Sequence, residues 1–286
     1  MQSTADFMGV ITDKYLRKTG ECPECGGTMY EWRHTNADGS PRCQPTCMTC
    51  GYYGKGQYAK PKDDFTESLQ AQRIKAVKTW SVVPNSSYFD KRLSNFKADT
   101  DELNALKLKA KIQVNGLITD KAHVWLTGMT GTGKSHLAMA ILWEYLSQTK
   151  YQNKAMFISV SDYVAYRKTL INIKDDKTQQ EFRQLENYIK TAELVVLDDL
   201  GAENGTMEQG NSATLFNVGL ISEIINARED KATVFTTNLS SSAIKSMYGE
   251  RVYSRAMANS KDHILVFKGI PDYRTKGLMS SARRDG

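Results

Sequence analysis

The eight residues Gly128-Met-Thr-Gly-Thr-Gly-Lys134-Ser135 restrict the possible folds of this chain more than any other stretch. They fit the pattern G-x-x-x-x-G-K-[ST]. That pattern needs a strand running in, a glycine-rich turn whose N–H groups face an anion, and a helix opening at the same anion. Both flanks comply: His123–Gly128 (HVWLTG) is a short apolar run, and the residues after Lys134, SHLAMAILWEYL, are helical in pattern. The glycines let the backbone curl around phosphates. Lys134 supplies a point charge for β- and γ-phosphates, and the Ser135 hydroxyl suits Mg²⁺. Contacts to ATP are therefore expected from Gly128, Met129, Thr130, Gly131, Thr132, Gly133, Lys134, Ser135 and His136.

Four more apolar runs of strand type follow: Ala155–Val160, Leu194–Asp198, Thr233–Asn238 and Ile264–Gly269, with helical stretches between them. Strands that are apolar on both faces and alternate with helices predict an α/β fold with a helix-covered parallel sheet. Leu194-Val-Val-Leu-Asp198-Asp199 ends a buried strand in two acids. Asp198 is the expected Mg²⁺ partner, and Asp199 is placed to orient or deprotonate an attacking water. Asn238, at the end of the TVFTTN run, can hold that water against the γ-phosphate. Arg251 and Arg255 are four apart and share a helix face. One of them is a candidate for neutralising γ-phosphate charge in a neighbouring subunit, and Arg274 could reach the nucleotide in its own.

The five cysteines lie between Cys22 and Cys50. Cys22-Pro-Glu-Cys25-Gly and Cys47-Met-Thr-Cys50-Gly form two CxxC pairs separated by 21 residues. Each turn aims two thiolates at one ion, so Cys22, Cys25, Cys47 and Cys50 are the expected zinc ligands in a closed structural site. Cys43 and His34 are expected to stay outside it. An odd cysteine count argues against a disulfide scaffold and for a reducing compartment, which places the protein in the cytoplasm. The N-terminus shows no secretory signal pattern. No apolar run approaches the roughly 20 residues of a membrane span.

Lysine and arginine outnumber aspartate and glutamate by 38 to 32. That excess permits a nucleic-acid partner without demanding one. The first 80 residues are nearly balanced, with 11 basic and 9 acidic side chains, so the zinc module has little attraction for phosphate and is better suited to a protein partner. Tyr163, Tyr166, Arg167 and Lys168 mix the aromatic and basic types that bind single strands, and form the candidate DNA contact. The expected layout is a zinc ribbon at 1–60, a helical linker at 61–85 including the helix Asp64–Trp80, and a nucleotide-binding core at 86–286. The adenine pocket is expected to draw on Tyr88 to Phe96.

The order of phosphate loop, LVVLDDLGAE, TTN, ERVYSR and DYR after a last strand resembles the AAA+ ATPases of the DnaC/DnaI helicase-loader type. The resemblance covers roughly Val83 to Thr275, and the zinc ribbon is similar to the adaptor in front of DnaI-type loaders. It implies a five-stranded sheet of order 5-1-4-3-2, Asn238 as the γ-phosphate sensor, Arg255 as arginine finger and Arg274 as second sensor. It further implies assembly into an oligomer with ATP, a hexameric replicative helicase as partner, single-stranded DNA as the place of delivery, and a bacterial or phage source. Many AAA+ members carry Asp-Glu where this chain has Asp198-Asp199; the shorter second side chain implies slow turnover. Competing functions are an IstB-type transposition helper with a similar core, a zinc-containing DNA-binding ATP switch, and a metabolic kinase, against which the sensor and arginine elements argue.

Overall fold

A computed structural model describes residues 14–37, 39, 41–53, 57–58, 64–170, 173, 175–204 and 215–273. The chain divides into two compact units, 1–67 and 68–286.

The first unit is a small antiparallel sheet of β1 (Leu16–Glu21), β2 (Thr28–Trp32), β3 (Thr46–Cys47), β4 (Tyr52–Tyr53) and β5 (Gln57–Tyr58), in that spatial order. Among its described residues only Cys22 and Cys47 are buried. Such a sheet has no apolar core of its own, and small modules of this kind need a metal or disulfides to stay folded.

The second unit is built on a parallel sheet of β6 (His123–Gly128), β7 (Ala155–Ser159), β8 (Leu194–Asp198), β9 (Ala232–Thr237) and β10 (Ile264–Phe267). Across the sheet the order is β10-β6-β9-β8-β7. Numbered among themselves from first to fifth, these strands run 5-1-4-3-2. Alternate residues point to opposite faces. Val124, Leu126, Phe157, Val196 and Val234 face one cluster, filled out by α2 (Asp101–Thr119) and α3 (Lys134–Gln148). Trp125, Met156, Val195, Leu197 and Phe235 face the other. That second cluster is closed by α4 (Val160–Thr169), α5 (Asp176–Thr191), α6 (Leu215–Ala227), α7 (Ser241–Tyr248) and α8 (Glu250–Ala256). Burial on both faces explains the continuous apolar runs in the sequence.

Helix α1 (Asp64–Trp80) forms over the expected residues. The stretch expected as a linker nevertheless belongs to the second unit from Ser68 onward. Val77 is buried in the first cluster, Trp80 stacks on Tyr188, and Val82 bridges Ile158 in parallel fashion. The Phe157 N–H also donates to the Ser81 hydroxyl at 2.9 Å. Residues 80–82 thus cover the free edge of β7, which would otherwise expose unpaired backbone groups. The modest amphipathicity of the helix concealed this packing.

Candidate nucleotide site and metal centre

Parallel register brings three strand ends to one edge of the sheet. Thr127 lies beside Thr237, and Leu197 beside Phe235. The phosphate loop, the Asp198-Asp199 pair and Asn238 therefore leave the sheet together, where ligands of open α/β sheets bind.

The loop requires its glycines for two separate reasons. At Gly128, with φ of 144°, a Cβ would sit 2.7 Å from the Phe267 carbonyl oxygen on the neighbouring strand. At Gly131, φ is 76°, and a Cβ would fall 1.8 Å from Asp272 Oδ1. Gly133, also left-handed, is the N-cap of α3. The turn is tightened by the Thr132 hydroxyl, which donates to the Met129 carbonyl at 2.9 Å. Lys134 is 7% exposed. Its Nζ donates to the Gly128 and Met129 carbonyls at 2.7 and 2.6 Å, which curls the side chain back over the loop.

Asp198 is 3% exposed at the end of β8. Burial pushes its carboxyl up to about 6, against the pull of hydrogen bonds from Thr236 and Ser135. The Thr236 hydroxyl donates to Asp198 Oδ1 at 2.6 Å and accepts from the Asp199 N–H at 2.8 Å. Asp199 has φ of 60°, a left-handed conformation that costs free energy for a residue with a Cβ. Asn238 Nδ2 reaches the Thr130 hydroxyl at 3.5 Å, linking the end of β9 to the phosphate loop. Thr236 was not anticipated. Its signal is the cross-strand pairing of TTN with LDD, which appears only once the register is known.

A cleft runs along this edge, lined by Lys134, Ser135, Asp199, Thr236, Tyr88 and Lys91. A more apolar hollow adjoins it, sharing Gly133 and His136 and adding Phe96, Leu103 and Tyr273. The His136 Nε2–H donates to the Arg92 carbonyl, 3.1 Å, and to Asn95 Oδ1, 3.0 Å, and the ring packs edge-on against Phe96. Burial holds its ring below the usual histidine range. The segment expected to supply the base pocket does line both spaces. Tyr273 adds a wall through its N–H to the Gly131 carbonyl at 3.1 Å.

The remaining expected residues separate. Arg255 pairs with Glu229 at 3.1 Å and donates to Asn226, whereas Arg251 is exposed on the same short helix. Arg274 lies outside the described residues. Tyr163 requires a correction: it is 1% exposed and stacks on Phe182, so it packs the core and offers no face to a base. Arg167 also lies over Phe182 and pairs with Glu186 at 3.9 Å. Tyr166 and Lys168 are exposed.

In the first unit the sulfurs of Cys22, Cys25, Cys47 and Cys50 all lie within 4.8 Å of one another. Cys22 and Cys50 are 3.6 Å apart, Cys25 and Cys47 3.5 Å. Zinc–sulfur bonds of about 2.3 Å in a tetrahedron separate the sulfurs by roughly 3.8 Å, so the four suit zinc. The N–H groups of Cys50 and Thr49 pull the Cys47 thiol down to about 6, whereas crowding by the other sulfurs pushes Cys25 up and Cys50 up to about 12, so without a cation only part of the cluster ionises. Cys43 and His34 are not in the cluster.

Residues 72–269 match the family described as IstB-like ATP binding protein. The chain belongs to that family. Among curated relatives, this IstB-like chain is 27% identical over 164 residues to the replicative helicase loader DnaC of Escherichia coli (strain K12), covering 56% of this chain and 60% of that protein. It is 24% identical over 216 residues to DnaC of Buchnera aphidicola subsp. Acyrthosiphon pisum (strain APS), covering 68% and 82%. The crystal structure of the DnaC helicase loader superposes with a TM-score of 0.51 at 25% identity, covering 64% of this chain and 100% of that one. The IstB-like chain thus spans 60% of the length of its Escherichia coli relative.

Proposed function

We propose that this protein is an ATP-dependent loader of a replicative helicase. One observation carries the reading: 64% of this chain aligns with the whole of a solved DnaC helicase loader chain, and the IstB-like segment 72–269 holds the phosphate loop, Asp198-Asp199 and Asn238. The family name also fits a transposition helper, but the curated relatives matched by this chain are helicase loaders.

In this reading the phosphate-loop N–H groups and Lys134 bind the β- and γ-phosphates of ATP. Lys134 gives up its two loop carbonyls to do so. The base enters the apolar hollow beside Phe96 and Tyr273. Ser135 and Asp198 hold Mg²⁺, which supplies charge neutralisation across the phosphates. A half-buried hydroxyl beside a buried carboxyl is an oxygen donor set that suits such a hard cation. Asp199 turns the attacking water towards the γ-phosphate, and its left-handed backbone is strain stored where the chemistry occurs. Asn238, already bridged to Thr130, reports whether the γ-phosphate is present. Arg255 of one copy neutralises charge at the cleft of the next, released from Glu229 on assembly, and Arg274 acts within its own subunit.

Cys22, Cys25, Cys47 and Cys50 hold zinc, which supplies the folding energy that the small sheet lacks. That module grips the hexameric helicase, while the core meets single-stranded DNA through Tyr166, Arg167 and Lys168. The protein works in the bacterial cytoplasm.

The test is a loading assay: transfer of the host replicative helicase onto protein-coated single-stranded DNA circles, with ATP. The full chain should stimulate transfer and Lys134→Ala should not. Equal transfer with and without the protein would contradict the reading.

A further inference from the structure

Helix α8 is short, seven residues, and carries Arg251 and Arg255. Both of its ends are fastened to elements that continue into the chain's own nucleotide cleft: the turn after Asp199 and the strand β6. At the front, Tyr248 closes α7 and is buried, and its hydroxyl donates to the Glu203 carboxylate. That carboxylate also accepts the Gly201 N–H at 2.9 Å. Gly201–Glu203 follows Asp198-Asp199 with one residue, Leu200, between. A single residue, Gly249, separates Tyr248 from α8. Its φ of 85° and ψ of 159° lie in a region essentially reserved for glycine.

At the back, the Ala256 carbonyl accepts from the Trp125 indole N–H at 3.1 Å and faces His123 Nδ1 at 3.1 Å. Trp125 and His123 belong to β6, the strand that ends in the phosphate loop. His123 Nε2 faces the Arg228 carbonyl at 3.2 Å. These contacts lie inside apolar packing, where phenylalanine would fill the space of the Tyr248 ring without needing a polar partner. Buried polar groups cost free energy unless bonded, and their bonds specify one position of the parts they join.

The two fastenings differ in kind. The back one is set within the sheet, on β6. The front one ends on a turn outside the sheet, near the acidic pair. Arg251 lies next to the front fastening and Arg255 next to the back one.

We infer that Tyr248 and Glu203, with Trp125 and His123 at the back fastening, are positioning residues that set the arginine helix offered to a neighbouring copy according to the state of this chain's own cleft. The inference rests on the proposed role of α8 in trans. It adds the route by which one site instructs the next, and it makes Arg251 the arginine whose reach changes most.

Mixing experiments test it. Asp199→Asn protein keeps the phosphate loop and so holds ATP, but lacks the carboxylate that turns the attacking water; its cleft is filled and its α8 is intact. Tyr248→Phe and Glu203→Gln should each bind a fluorescent ATP analogue within about twofold of wild type, yet hydrolyse ATP on the order of tenfold more slowly under assembling conditions. Adding Asp199→Asn should restore hydrolysis, because an ATP-set helix then faces the intact clefts. Undiminished hydrolysis by both variants would overturn the inference. So would a loss that Asp199→Asn does not rescue, since the lesion would then lie in the variant's own cleft. If Tyr248→Phe unfolds at a lower temperature than wild type, Glu203→Gln carries the test. A chain lacking both arginines, Arg251→Ala with Arg255→Ala, is mixed with Asp199→Asn alongside. If that pair fails to complement, the role of α8 in trans is wrong and the inference goes with it; if it complements while the Tyr248 and Glu203 pairs do not, only the inference is lost.

Discussion

A carboxyl group walled off from water keeps its proton to higher pH, and Asp198 at the end of β8 is such a group. Its folded value of about 6 stands above the ordinary 3.8. The folded state therefore binds more protons than the unfolded state between those values. The stabilisation this gives is present below about pH 4 and is lost as pH rises through 6. At neutral pH the ionised carboxylate costs the ligand-free protein on the order of 3 kcal/mol. Asp198→Asn should raise the unfolding temperature of the ligand-free protein at pH 7, and the gain over wild type should shrink towards pH 4. A gain that does not change with pH would refute this account of Asp198. The same substitution should abolish the Mg²⁺ dependence of ATP binding. Lys134→Ala removes a charge-assisted bond to phosphate, so ATP affinity should fall roughly 10- to 100-fold by titration calorimetry. At this scale the sequence was most readable where a motif states its own geometry, as with Lys134 and the four cysteines. It was least readable for Tyr163, whose aromatic ring looked like a stacking platform. Helix spacing alone did not say that this ring faces Phe182 in the core.

Among the elements, the small cysteine-bound sheet and the parallel sheet depend on different forces. The first has two buried residues among those described, both proposed metal ligands. Chelation should therefore melt its circular-dichroism signal and expose 14–58 to protease, while the core still binds ATP. Metal analysis should find about one zinc per chain, and Cys22→Ser should reproduce the effect of chelation. The parallel sheet instead rests on apolar packing and on one buried cation. The Arg228 guanidinium donates to the carbonyls of Ile189, Ala192 and Ala232 and to the Thr233 hydroxyl, tying the end of α5 to the start of β9. Burial lowers its pKa to about 9. Arg228→Lys cannot reach all four acceptors and should cost about 3 kcal/mol in denaturant unfolding. Strand positions were legible because each run is apolar on both faces and bounded by turn residues. Arg228 and the edge-covering role of residues 80–82 were not, because both arise from contacts between segments far apart in sequence.

For the whole molecule, the proposal joins a metal-held module that grips a partner to an ATP-binding core whose arginine helix serves a second copy. The family of the core was legible from the ordered motifs, since phosphate loop, paired acids and strand-end asparagine must converge once the strands lie parallel. The boundary between units was not, because α1 reads as a free connector until Val77 is seen in the core. The central claim is that the protein delivers a replicative helicase, and native mass spectrometry tests it most directly. The full chain is mixed with the host helicase, with and without ATP and Mg²⁺. The account predicts a complex of defined stoichiometry that Cys22→Ser abolishes while ATP binding persists. Absence of any complex under every nucleotide condition would contradict it.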